Sequence, residues 1–253
     1  MKRPLLSDLK RVFGELNVWL ATLGLMLIAQ TAIGQPFIVP SGSMQPTLLV
    51  GDEIAAAKYA YGYSRYSAPF GLTPNFTGRI LERAPERGDV VVFALPRDPS
   101  QTYVKRVIGL PGDRIQMDSG NLFINGERAP RRFVARITVF GETDRRVPGL
   151  TFVETLPNAR AHTIIKQVAG GALDDTPELV VPEKSYFMLG DNRDNSIDSR
   201  VPAAQGGVGF VPADHLIGRV DRVLFSINPI AGWREFLAEP TALRISRVLH
   251  PVQ

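Results

Sequence analysis

No Asp, Glu, Lys or Arg occurs between Leu16 and Gly51, and the apolar part of that stretch runs from about Val18 to Ile33. A run of this kind does not stay on a solvated surface, so the chain must bury it in protein or in lipid. At about 1.5 Å per residue, Leu16 to Gly34 crosses a hydrocarbon core of roughly 30 Å with little slack. Lys2, Arg3, Lys10 and Arg11 precede it, and no further Lys or Arg appears until Lys58. That asymmetry holds the basic side in the cytoplasm. The favoured organisation is therefore a basic cytoplasmic N-terminus over residues 1–15, a retained single-pass transmembrane anchor over 16–34, and an exported region over 35–253. A secretory signal processed at Ala32-Ile33-Gly34 and a buried helix of a soluble protein are the two alternatives.

Composition removes several classes of function. With 44% hydrophobic and 21% charged residues the chain is an ordered protein. It contains no cysteine, so it has neither a disulfide framework nor a thiolate metal site. The net charge is only +4, and no basic run is longer than a pair such as Arg131-Arg132 or Arg145-Arg146, too short to track a phosphate backbone. No His pair has metal-ligand spacing, and the acidic residues from 191 to 198 are interleaved with Arg193 and Arg200. The turn Gly109-Leu110-Pro111-Gly112-Asp113 lacks the Lys-Ser/Thr ending of a phosphate loop. No nucleic acid, metal or organic cofactor is expected.

Beyond the anchor the pattern is mainly β. Strands are predicted over 88–93, 102–108, 115–117, 122–124, 163–168, 178–181 and 216–225, separated by Gly, Pro, Asn and Asp breaks. The runs 59–76 and 141–158 read as irregular excursions. A smaller β extension at roughly 119–180, leaving and rejoining one β core, gives two β lobes. The tail from 230 to 252, interrupted by Pro240, reads as a short helix that packs on the core or touches the membrane surface.

Two residues offer chemistry. Ser43, between Gly42 and Pro46, is a hydroxyl held by tight backbone geometry, although Ser/Gly turns of this kind are common. Lys105 shares one strand face with Tyr103 and Val107, where loss of solvation would lower its pKa enough to make it a base. A strand lysine beside an arginine is otherwise an ordinary surface residue. His162, His215 and His250 lack an acidic orienter in sequence, which disfavours a Ser-His mechanism.

The chain resembles the bacterial type I signal peptidases, or leader peptidases. Pro40-Ser41-Gly42-Ser43-Met44-Gln45-Pro46-Thr47-Leu48 is similar to the serine box of that family. Arg87-Gly88-Asp89-Val90-Val91-Val92-Phe93 resembles its β segment, and Tyr103 to Asp113 its lysine box. Gly190-Asp191-Asn192-Arg193-Asp194-Asn195-Ser196-Ile197-Asp198-Ser199-Arg200 matches its last box, with Gly209-Phe210-Val211-Pro212 and Gly218-Arg219-Val220 extending the likeness. The boxes span roughly residues 37 to 225, with no recognised motif between 119 and 180.

The resemblance implies a membrane-bound serine endopeptidase with a Ser-Lys dyad and a two-lobed antiparallel β catalytic region of signal-peptidase type. It would remove N-terminal signal peptides from exported preproteins after an Ala-x-Ala-type site. It implies Ser43 as nucleophile, Lys105 as general base, Ser41 with the Ser43 amide as oxyanion hole, and Ser196 as the residue orienting the lysine amine. Arg106, Asp191, Arg193, Asp198 and Arg200 become structural support, with Arg106 pairing Asp191. Phe37, Val39, Pro40, Met44, Leu48, Tyr103 and Val104 become the substrate-binding residues. The expected partners are the signal peptides of secreted preproteins and membrane lipid, with the chain a monomer in the bacterial inner membrane and its catalytic region on the periplasmic face.

Some relatives have two membrane segments where this chain shows one. Three rivals share parts of the pattern: a specialised relative that matures a pilus or conjugation protein, a catalytically silent receptor for exported segments, and a soluble Ser-Lys self-cleaving regulator. The last is disfavoured because an uncharged membrane stretch, and no helix-turn-helix, precedes the serine.

Overall fold

A computed structural model describes residues 14–26, 34–68, 75–140, 146–167, 171–228 and 243–252. Residues 14–26 form one α-helix, on which Val18, Trp19, Leu20 and Leu25 are exposed. Among the described residues no helix is long and apolar enough to cross a membrane. Residues 27–33 of the expected anchor lie outside the described residues, and Gly34, its expected last residue, already begins a strand.

Sixteen strands follow among the described residues: β1 (Gly34–Ile38), β2 (Asp52–Ala57), β3 (Tyr63–Ser64), β4 (Arg79–Ile80), β5 (Val90–Leu95), β6 (Asp98–Gly109), β7 (Arg114–Asp118) and β8 (Asn121–Ile124), then β9 (Glu127–Arg128), β10 (Arg131–Phe140), β11 (Arg146–Thr155), β12 (Ala161–Lys166), β13 (Leu179–Val180), β14 (Ser185–Leu189), β15 (Val211–Pro212) and β16 (Leu216–Ser226). A seven-stranded sheet in the order β1-β2-β16-β5-β6-β14-β15 carries the core. All its pairings are antiparallel. β5 is buried at every position, which explains its unbroken apolar sequence VVVFAL. One side packs Val39, Met44, Leu48, Ile54, Val92 and Val220, and another cluster gathers Val91, Phe93, Val107, Met188 and Leu216.

The extension is two smaller sheets, β13-β7-β8-β9 and β10-β11-β12. Ile108 and Phe187, from the large sheet, share a core with Ile115, Leu122 and Leu156. The lobes are thus joined by packing as well as by the chain. The expectation of an irregular run over 141–158 is corrected, because residues 146–155 are β11, paired on both sides by β10 and β12. Likewise 59–68 is ordered. Arg79 donates to the carbonyls of Tyr61, Gly62, Ala213 and Leu216, and the buried Lys58 amine donates to the Ser67 carbonyl. In the tail, the helix expected over 230–252 is replaced, in its described part, by a short segment with a 3-10 turn at Ile245–Arg247 between two isolated bridges. It runs beside β16 through Leu243–Ile227 and Pro251–Arg222 bridges, and residues 229–242 lie outside the described residues.

Candidate active site

Ser43 stands in a 3-10 turn, Gly42–Met44, between β1 and β2. The connection is folded tightly because Val39 N donates to the Asp52 carbonyl and Gly51 N returns the bond to Val39. Met44 and Leu48, both fully buried, plug it into the core beneath the serine. Both were expected to contact substrate; they lie in the core cluster, as does Val39, and of the three only Val39 is among the residues lining the cleft. Ser43 itself is almost wholly buried.

Lys105 reaches Ser43 from the middle of β6. Its Nζ donates to Ser43 Oγ at 2.7 Å and to the Val104 carbonyl at 3.1 Å, and it lies 5.4 Å from the Tyr103 ring centroid. The side chain is 3% exposed. Burial lowers its pKa to about 8, against the opposing pull of Asp198 and Asp191. Among the described residues no histidine hydrogen-bonds Ser43. His162 is buried, which drives its pKa down to about 4, and neither of its nitrogens makes a hydrogen bond.

Ser41 Oγ lies 3.3 Å from Ser43 Oγ. The Ser196 hydroxyl is buried, close enough to Asp198 to help hold that carboxyl down, and no hydrogen bond joins it to Lys105. It packs against Gly190, where an added Cβ would meet Ser196 Oγ at 2.2 Å and the Ser43 carbonyl at 2.6 Å. Glycine is needed there for close approach. The Lys105 amine takes its second bond from its own strand, at Val104.

Four charged residues around the dyad are paired and hydrogen-bonded, as buried charges must be. Arg106 holds both oxygens of Asp191, at 2.8 and 2.7 Å, and donates to the Gly88 carbonyl at 2.7 Å. Arg200 holds both oxygens of Asp198, each at 2.8 Å. Burial raises both carboxyls, but the guanidinium beside each outweighs it and the net shift is downward. Arg193 reaches across to Glu154 of β11, so the last box is tied to the extension by a buried ion pair.

A cleft of about 510 Å³ opens beside Ser43 and Lys105. Phe37, Val39, Pro40, Tyr103 and Val104 line it, together with Ile38, Val92, Thr102, Asn195 and Ile197, which sequence reasoning missed. Thr47 was missed too; its hydroxyl donates to Asp191 at 2.5 Å. Asn192, buried, donates from its side chain to the Gly42 carbonyl and from its backbone to the Ser43 carbonyl. Among the described residues no group of His, Asp and Glu could hold a metal ion.

A hydroxyl bonded to a buried amine that sheds its proton near pH 8 is equipped for acyl transfer of the serine-hydrolase kind. A family model described as signal peptidase, peptidase S26, matches residues 13–225. Signal peptidase I of Rickettsia typhi is 41% identical over 240 residues, covering 92% of this chain and 87% of the relative. That of Rickettsia prowazekii is 40% identical over the same length and shares. A crystal structure of a signal peptidase I from Enterococcus faecalis V583 is 29% identical, covers 54% of this chain and 97% of its own, and has a TM-score of 0.32. The chain belongs to the signal peptidase family, peptidase S26, and is an enzyme of signal peptidase I type.

Proposed function

We propose that this enzyme removes signal peptides from exported preproteins by a Ser-Lys mechanism, with Ser43 as nucleophile and Lys105 as general base. The observation that carries it is the buried 2.7 Å bond between Lys105 Nζ and Ser43 Oγ. Neutral Lys105 takes the Ser43 proton as Oγ attacks the carbonyl at the cleavage site. The tetrahedral oxyanion is met by the Ser43 amide and the Ser41 hydroxyl. Lys105 then returns its proton to the leaving amine, leaving an ester on Ser43. Water, giving a proton to Lys105, attacks the ester, and Lys105 passes that proton to the departing Ser43 Oγ, which releases the acid and restores both the hydroxyl and the neutral amine.

The cleft supports an extended peptide. β1 is the edge strand of the large sheet, so its outer side offers backbone groups for strand addition, and the apolar walls formed by Phe37, Val39, Pro40, Tyr103 and Val104 favour small side chains one and three residues before the cut. A helix over 14–26 with its apolar side chains exposed fits a lipid surround, as part of an anchor that ends before β1, with the N-terminus cytoplasmic. The test is mass analysis of products from a preprotein bearing an Ala-x-Ala site and from the same preprotein with Leu at either alanine. Cutting after the second alanine only in the first substrate supports the reading. Equal cutting of all three contradicts the size selection.

A further inference from the structure

We infer that Gln167 and Asn192 are positioning residues that aim the oxyanion-binding amide of Ser43, an inference that rests on the Ser-Lys reading above. The Ser43 N–H and the Gly42 carbonyl belong to one planar trans peptide and point in opposite directions. Whatever fixes the carbonyl therefore aims the amide. The Gly42 carbonyl accepts from Asn192 Nδ2 at 3.1 Å and from Gln45 N at 3.1 Å. The next carbonyl, that of Ser43, accepts from Asn192 N at 3.0 Å. One fully buried residue thus holds the carbonyls on both sides of the nucleophile.

A primary amide can present either its oxygen or its nitrogen in the same place, and the oxygen would set two acceptors face to face at Gly42. Gln167 reinforces the choice of nitrogen. Its Nε2 donates to Asn192 Oδ1 at 3.0 Å, which leaves the Asn192 NH2 for the Gly42 carbonyl. Gln167 directly follows β12, and its own backbone N–H is held by Asp194 at 2.6 Å. β12 is stitched to the last box on either side of Asn192, since Ile165 N donates to the Asp191 carbonyl at 2.8 Å and Arg193 N to the Ile165 carbonyl at 2.9 Å. The extension sheet therefore reaches the nucleophile through a relay of two side-chain amides. Donation to the Gly42 carbonyl also polarises the peptide that carries the Ser43 N–H, making it a stronger donor to a developing oxyanion. Gln167 does not line the cleft, so its effect on the reaction passes through Asn192.

The experiment measures kcat and KM on a preprotein, the pH profile and the melting temperature for the full chain and for Gln167→Leu, Gln167→Glu and Ser43→Ala. The Leu variant lacks the donor. The Glu variant offers an acceptor that draws the Asn192 NH2 away from Gly42. The expected result is a kcat about tenfold lower in Gln167→Leu and lower still in Gln167→Glu, part of what removal of a whole oxyanion donor costs. KM should stay within about twofold, with the acid limb of the pH profile and the melting temperature unchanged. An unchanged kcat in both variants overturns the inference, as does a loss that follows KM or melting temperature, or one that moves the acid limb. Full cleavage by Ser43→Ala would remove the underlying reading, whereas an inactive Ser43→Ala beside unaffected Gln167 variants removes only the inference.

Discussion

Arg106 donates from Nε and Nη2 to the two oxygens of Asp191, at 2.8 and 2.7 Å, one residue along the strand from Lys105. The strand that carries the base is thereby fastened to the box that holds the serine turn, because Asp191 also accepts from Thr47 and its neighbour Asn192 holds the Gly42 and Ser43 carbonyls. Removing Asp191 would strand a buried guanidinium. Asp191→Ala should cost about 3–5 kcal/mol, while Asp221→Ala, which breaks the more exposed pair with Arg219, should cost under about 1 kcal/mol. Urea unfolding of both variants in detergent checks this, and equal losses would contradict the burial argument.

The pH dependence follows from the Lys105 pKa. Burial brings it down to about 8, so the amine is mostly charged below that pH and mostly neutral above it. A base must be neutral to act. kcat/KM on a preprotein should therefore climb roughly tenfold per unit up to about pH 8 and then level off. A limb centred near pH 6.5 would point to a histidine, and one near 10.4 to a solvated lysine.

Lys105→Arg keeps the charge and removes the chemistry. Guanidinium does not give up its proton in the working range, and its planar fork does not fit a site built around one amine. The variant should cleave no faster than Lys105→Ala and should unfold at a lower temperature than the wild type, because a larger permanent charge is forced into a buried site. Retention of more than a few per cent of wild-type kcat would be incompatible with Lys105 as the base.

Met44 and Leu48 lie within five residues of the nucleophile and yet belong to the core. Leu48→Ala should cost about 2–5 kcal/mol of stability. Its preference among side chains at the two small-residue positions of the substrate should stay that of the wild type, as read from competition between preproteins. A changed preference with unchanged stability would return Leu48 to the cleft.

These outcomes also show what the sequence could convey. β7 and β8 were legible because their apolar residues keep strand period between clear turn residues, as in Leu122 to Ile124 closed by Asn125-Gly126, and β5 through its unbroken run of apolar residues. β1 was hidden because Gly34 to Ile38 continues an uncharged stretch whose first residue reads as part of the anchor. β11 was hidden because Pro148 and Gly149 lie inside it, where pairing to β10 and β12 overrides the local signal. Ser43 and Lys105 stood out through residue type and motif. For Met44 and Leu48, closeness in sequence to a nucleophile did not convey that both side chains are buried in the core cluster. Asn192 and Thr47 act on a backbone carbonyl and a carboxylate far along the chain, and neither contact leaves a mark in local spacing. The role of Ser196 came from the resemblance alone, and the closeness of its hydroxyl to Gly190 leaves no mark in local spacing.

The central claim is that Ser43 performs the cut. The most direct measurement follows cleavage of a preprotein with an Ala-x-Ala site by the purified full chain in detergent or lipid, beside the Ser43→Ala protein at equal concentration. Cleavage directly after the second alanine by the wild type, with none by Ser43→Ala, is the predicted result. Cleavage at that site by a well-folded Ser43→Ala protein at the wild-type rate would contradict it.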